Sequence, residues 1–183
     1  SGATWAWGSC DGLSTPRPLA PLHDIARDLD GELLEAVRDG APREQLFDLS
    51  LDRLRDGDLT VVVVEDVHWA DEATLDAITV LGRRIASLPA VLVLTLRPGE
   101  APPAHPLHAT LGSIRPDRST VLELPPLSER AVASLCGADA GEVYALSGGN
   151  PFYVTELLAS RSPEGVFWDW PGDTEVVLAR KPG

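Results

Sequence analysis

The sequence predicts an α/β fold with parallel strands. Val61–Val64 is a run of four β-branched residues, and branching at Cβ favours a buried strand over a helix because it stiffens the side chain and suits a pleated surface. Val91–Leu96 is a second apolar run of strand length, interrupted only by Thr95. Between and before these runs, apolar residues recur at three- and four-residue steps, the period of amphipathic helices. Strands alternating with helices imply a parallel sheet, and such sheets bind ligands beyond the carboxyl ends of their strands. At that end of the valine run stand two adjacent carboxylates, Glu65 and Asp66.

Each element has its own signal. Ala3–Gly8 alternates Trp5 and Trp7 with small residues and reads as a short strand closed by Gly8 and the Asp11-Gly12 turn. From Pro18 to Arg38, Leu19, Leu22, Ile25, Ala26, Leu29, Leu33 and Val37 predict one amphipathic helix, broken by Gly40 and Pro42. A helix over Arg43–Arg55 presents Leu46, Phe47, Leu49, Leu51 and Leu54, and Asp56-Gly57-Asp58 turns the chain into the valine strand. Asp71 is placed to cap the next helix, whose core face is Leu75, Ile78, Leu81 and Ile85 and which stops before Pro89. The strand Val91–Leu96 ends at Arg97-Pro98, and Thr120–Leu124 reads as a shorter strand before Pro125-Pro126. Ser128 caps a short helix through Leu135, Gly141–Ser147 begins another, and Gly148-Gly149-Asn150-Pro151 leads into a helix from about Pro151 to Ala159. After Arg161, Pro and Gly punctuate a stretch with little periodicity, expected to be loosely ordered. The expected organisation is a core over residues 1–125, a helical segment over 126–160 and an irregular tail over 161–183.

At 183 residues and 44% hydrophobic, the chain can bury one ordinary core. Its net charge of −13 is spread evenly, with 12 acids against 6 bases in residues 1–58 and 16 against 9 in 59–183. An acidic chain without a Lys/Arg stripe lacks the electrostatic footprint of nucleic-acid binding. Cys10 and Cys136 lie far apart, outside any C-x-x-C spacing, which suggests neither zinc site nor disulfide framework and fits a reducing, cytoplasmic setting. The longest apolar runs fall far short of the roughly 20 residues of a membrane helix, and Ser1–Cys10 has no signal-peptide pattern. The absence of any methionine, including an initiator, leads us to expect a fragment or trimmed product.

The acid pair suggests chemistry. One carboxylate at a strand tip can hold a hydrated magnesium ion while its neighbour orients a water towards a terminal phosphate. Glu65 and Asp66 fit these two roles, against the plainer alternative that the strand simply ends in solvent. The complementary phosphate-cradling loop, G-x-x-x-x-G-K-[ST], is absent, since the only lysine is Lys181, followed by Pro182. A hydrolytic metal centre built on His68 with Asp66 and Asp71 is disfavoured by spacing, as the other histidines are His23, His105 and His108. His105 and His108, in a proline-bounded segment, read as a solvent-facing short helix. Trp5 and Trp7 read as sheet packing in preference to a ligand platform.

The segment Glu65-Asp66-Val67-His68-Trp69-Ala70-Asp71-Glu72-Ala73-Thr74 closely resembles the Walker B region of the large ATPase-bearing LuxR-type regulators, signal-transduction ATPases of the AAA-related P-loop class. Two further segments match in the family's order. Trp7–Asp11 through Thr15–Leu19 is similar to the stretch after the phosphate loop, and Gly148–Leu158 is similar to the lid motif, so that the resemblance covers about residues 5–160. It implies that Glu65 takes the magnesium-associated position, where many relatives carry aspartate, and that Asp66 positions water. Arg97 resembles the family's sensor arginine, whose planar donors suit the terminal phosphate. The Gly149-Asn150-Pro151 turn resembles the adenine-side motif, although a proline opening a helix is also a common start signal.

On this resemblance the chain is a partial P-loop NTPase-type three-layer sheet lacking the P-loop strand, followed by the start of a helical lid. The family's strand order, 5-1-4-3-2, puts the missing strand between Val91–Leu96 and Thr120–Leu124, which should leave a gap or close on each other. ATP and Mg2+ are the implied ligands of the parent domain, with other domains of the same regulator as partners, and the family's C-terminal DNA-binding helix-turn-helix is expected to lie outside this chain. The isolated chain is expected to bind ATP weakly or not at all. The competing expectation is a non-catalytic regulatory or interaction module on a degenerate NTPase scaffold.

Overall fold

The computed structural model describes residues 2–161 apart from 14, 30, 115, 116 and 118. The irregular tail expected over 161–183 lies outside them, save for Arg161. The described residues form a mixed α/β structure that divides into two compact units, with the boundary between Leu122 and Glu123.

The first unit holds a three-stranded parallel sheet in the order β1 (Thr4–Ser9), β2 (Thr60–Glu65), β3 (Ala90–Leu94). Its register pairs Ala6 with Val62 and Val62 with Leu92, so each layer across the sheet has one residue from each strand. Ala6, Val62 and Val64 are buried in a single core with apolar residues of α1 (Ala20–Leu29), α2 (Glu32–Arg38), α3 (Arg43–Asp56) and α4 (Glu72–Arg84). The opposite face carries Trp5 and Trp7 on the edge strand, both about two-fifths exposed and with their rings stacked 6.5 Å apart. They stack on each other on that face of the sheet and are partly exposed to solvent. An edge strand has a neighbour on one side only, so its outer side chains are covered from one side at most.

Two boundaries differ from the sequence reading, each for a backbone reason. The single helix expected from Pro18 to Arg38 is two, because Gly31 sits at φ 75°, ψ −150°, a region open to glycine alone. The strand expected over Thr120–Leu124 does not form beyond a bridge residue at Glu123. A strand exists only by pairing its backbone groups, and an apolar, β-branched stretch without a ladder partner has nothing to make it one. Residues 119–122 instead line an apolar cleft of about 650 Å³ whose other walls are β3, the end of α4 and α5 (Pro106–Ser113).

α5 also departs from expectation. His105 caps it, its Nδ1 accepting from the Leu107 amide at 3.1 Å, and His108 faces solvent, but Leu107 and Thr110 are buried. The helix is therefore half-buried, and just beyond it Ile114 packs so closely on α4 that a Cβ at Gly82 would lie 2.8 Å from its Cγ1.

The second unit contains α6 (Glu129–Cys136), α7 (Ala140–Ser147) and α8 (Pro151–Arg161), which bury Val132, Val143 and Val154 in a small core of their own. No helix among the described residues is long and apolar enough to cross a membrane.

The contact of β1 with α1 is tight enough to test. A Cβ at Gly8 would run into the Pro21 carbonyl and lie 2.8 Å from its Cα, a backbone neighbour that cannot swing away. Gly8→Ala should destabilise the first unit by about 2–3 kcal/mol, read as a lower urea midpoint.

Candidate active site

β2 delivers the acid pair to the carboxyl end of the sheet, where a turn redirects the chain. Asp66 leaves the strand in the left-handed region, φ 52°, ψ 43°, where a short polar side chain is better tolerated than most. Three bonds to Thr95, just beyond β3, hold the turn. Thr95 N–H donates to the Val64 carbonyl (3.1 Å), the Thr95 carbonyl accepts from Val67 N–H (2.9 Å), and Thr95 Oγ1 accepts from Asp66 N–H (3.0 Å). The sheet pairing thus continues past the last strand residues and fixes the backbone of Asp66.

Glu65 and Asp66 are both half-buried. The Glu65 carboxylate makes no hydrogen bond or ion pair with the described residues, while its carbonyl accepts from Cys10 N–H at 3.0 Å, tying the end of β1 to β2. A half-buried carboxylate with open valences suits a hydrated cation. Asp71 is different. Its Oδ1 accepts from the Ala73 and Thr74 amides at 2.9 and 3.2 Å, and its Oδ2 accepts from Leu19 N–H at 3.2 Å and from the Thr74 hydroxyl. It is the N-cap expected of α4 and also anchors the loop after β1, where Leu19 is held at φ 56°.

His68 is fully buried, and its role has no signal in the sequence. Its Nδ1 accepts from the Arg97 amide at 3.3 Å, which makes Nε2 the protonated nitrogen of the neutral ring. Nε2 lies 3.0 Å from Glu100 Oε2, within ion-pair range but off the line of the ring N–H, so that the donor is not satisfied by an aligned bond. With Nδ1 serving a backbone amide, the ring has no free lone pair for a metal in this arrangement, and no group of three or more metal-ligating side chains occurs among the described residues.

Arg97 sits where the sequence puts it, just past β3, with its amide on His68. Its guanidinium is engaged, with Nη1 2.9 Å from Glu100 Oε1 and Cζ 5.6 Å from the centre of the Trp69 ring, a cation–π distance. The hydrogen bond to Glu100, reinforced by its charge, raises the Arg97 pKa. The same bond holds the Glu100 carboxyl below its ordinary value, with partial desolvation opposing. The three-residue spacing of Glu100 from Arg97, which brings the two together on one helical turn, is a signal from which the pair can be suspected. Thr95 has no sequence signal beyond interrupting an apolar run.

Glu65, Asp66 and Arg97 are thus gathered at one edge of the first unit through the Thr95 and His68 bridges. Gly149, Asn150 and Pro151 belong to the second unit. Gly149, at φ 77°, donates to Ser147 Oγ (3.1 Å) and accepts from Leu127 N–H (2.7 Å), and a Cβ there would strike the Leu127 carbonyl. Asn150 Oδ1 caps α8 by accepting from Phe152 N–H at 3.0 Å, and Pro151 is its exposed first residue. Every bond of this turn has a structural use.

No family model matches the chain. No solved structure matches it either. An uncharacterized protein of Rhizobium meliloti (strain 1021) is 34% identical over 102 residues, covering 53% of this chain. The chain spans about a tenth (10%) of that relative's length.

Two measurements check the site. Thr95→Val keeps the shape but removes the acceptor of the Asp66 amide, and should cost about 1–2 kcal/mol in urea unfolding and shift the amide signals of Asp66 and Val67. Cys10, buried beside Asp71, Asp66 and Asp11, has its thiol pushed up to about 12, first by desolvation and then by those carboxylates. A raised folded pKa means stability that is whole below the ordinary thiol range and is lost as pH rises towards 12. At pH 8 an aromatic disulfide reagent should therefore label Cys136 and spare Cys10 until the chain unfolds.

Proposed function

We propose that this chain is a segment of a P-loop ATPase domain of the signal-transduction class, from a LuxR-type transcriptional regulator. In it Glu65 would hold a magnesium ion, Asp66 would orient the attacking water and Arg97 would contact the terminal phosphate. The observation that carries this reading is the constrained Asp66. An acidic residue whose backbone is fixed at the carboxyl end of the central strand, with an arginine tied to the same turn, supports a water-orienting carboxylate near a phosphate-contacting arginine. The Mg2+ would supply charge neutralisation and a template for the phosphate oxygens.

Two more features support the assignment. The apolar cleft along β3 lies where the family's strand order leaves room for the phosphate-loop strand. The match to about a tenth of a long protein fits a segment of a multidomain regulator. The Gly149-Asn150-Pro151 turn is assigned to the adenine side on the resemblance alone. A cytoplasmic setting, with ATP, ADP and neighbouring domains as partners and no direct contact with nucleic acid or membrane, completes the proposal. The second reading, a regulatory module on a degenerate scaffold, is favoured by one fact, that the sole lysine is Lys181 and no phosphate loop is present.

The gene separates them. The proposal expects a G-x-x-x-x-G-K-[ST] loop in frame upstream of Ser1, magnesium-dependent ATP hydrolysis by the extended protein, and a loss of about 100-fold or more in its Asp66→Asn variant. An upstream frame without that loop overturns it. The 183-residue chain should bind ATP weakly at most, and micromolar, magnesium-dependent binding by it would contradict the segment reading.

A further inference from the structure

Arg97 is not waiting free for a ligand. The carboxylate of Glu100 stands between two cationic or donor groups, with one oxygen 2.9 Å from Arg97 Nη1 and the other 3.0 Å from Nε2 of the fully buried His68. The fit is incomplete on both sides. Arg97 Nε is buried without a partner, so the guanidinium does not make the two-pronged bond that a carboxylate or phosphate can accept, and His68 Nε2 is likewise left without an aligned acceptor. These are the two unsatisfied buried side-chain donors among the described residues, and both belong to the residues that bracket Glu100. A carboxylate held by one prong is a weaker partner than a phosphate, which carries more charge and can accept from two guanidinium nitrogens at once.

We infer that Glu100 is a built-in competitor for Arg97, holding its guanidinium against Trp69 when no phosphate is bound and yielding it to a phosphoryl group when one arrives. This rests on the reading of Arg97 as the phosphate-contacting arginine. The exchange is purely non-covalent: one ion pair is broken and another is made. It also reaches the backbone. His68 touches Glu100 through Nε2 and the Arg97 amide through Nδ1, so removing the carboxylate frees one side of a ring whose other side braces the exit of β3 against the turn after β2. Glu100 lies at the surface, about two-fifths exposed, and can swing into water without opening the core.

The test uses the 183-residue chain, magnesium tripolyphosphate as probe, and nitrogen-15 NMR, read at the Arg97 guanidinium in the wild type and Glu100→Gln and at the backbone amides of Asp66, Val67 and His68 in these two and in Arg97→Gln. Without the probe, the wild type should show hindered rotation of the Arg97 Nη groups that Glu100→Gln relieves. With it, Glu100→Gln should respond at a concentration about three- to fivefold lower than the wild type, the range set by the loss of one partly exposed ion pair. Equal guanidinium rotation in wild type and Glu100→Gln overturns the contact itself, whatever the fate of the ATPase reading. Equal midpoints overturn the competition, as does silence in both proteins up to about 50 mM probe, a range in which even weak binding registers. If Arg97→Gln responds as the wild type does, Arg97 is no phosphate contact, and the failure belongs to the functional reading on which this inference rests.

Discussion

Thr95 is the residue on which the carboxyl edge of the first unit's sheet depends. A parallel sheet ordinarily loses control of its chain where the ladder ends, because each strand departs into its own loop. Here one residue past β3 makes three hydrogen bonds to the residues leaving β2, two through its backbone and one through its hydroxyl. The left-handed geometry of Asp66 is unfavourable for a residue with a Cβ and persists only where its surroundings fix it. Thr95 supplies that constraint, and the Arg97 amide on His68 extends it one step further.

Asp71 plays the corresponding part on the other side of β2. Four donors converge on its carboxylate, two from the first turn of α4, one from the Thr74 side chain and one from Leu19. A helix start and a distant loop are thereby joined through one anion, at the end of the helix where negative charge is favoured. The loop it anchors passes over Trp69, close enough that a Cβ at Gly12 would touch the indole at 3.0 Å. Packing and polar bonding therefore converge on the same few residues.

How much of the fold is legible in the sequence depends on how local each signal is. The valine run, the Asp71 cap and the Ser128 cap are decided by residues within a few positions, and each appears in the structure, Ser128 Oγ accepting from Ala131 N–H at 3.2 Å. The break at Gly31 is hidden because a 3.6-residue period runs through it without a visible fault, while φ alone decides the matter. Thr120–Leu124 has the composition of a strand, but strand formation is a property of a pair, and no neighbour in the described sheet takes it up. Motif order singles out Glu65, Asp66 and Arg97, which the structure gathers at one edge of the first unit. It does not reach Thr95 and His68, which act through contacts between residues 29 positions apart, and for Glu100 only the three-residue spacing from Arg97 is visible, not its approach to His68 32 positions away.

Among the described residues no further strand pairs with β3, and that edge has a consequence for how the chain behaves in solution. A parallel edge is a row of unpaired amides and carbonyls, and proteins guard such edges with charge or proline. β3 is Ala90-Val91-Leu92-Val93-Leu94, with no charge along it and a proline only at its entrance, Pro89. Val91 is nearly half exposed, and the cleft beside it is lined by apolar side chains. What opposes edge-to-edge pairing of copies is the repulsion between chains that each carry −13, a long-range force that salt screens within about 8 Å at physiological ionic strength. Salt, by screening the net charge of chains whose apolar edge carries none, therefore removes the main electrostatic barrier to contact between copies at β3.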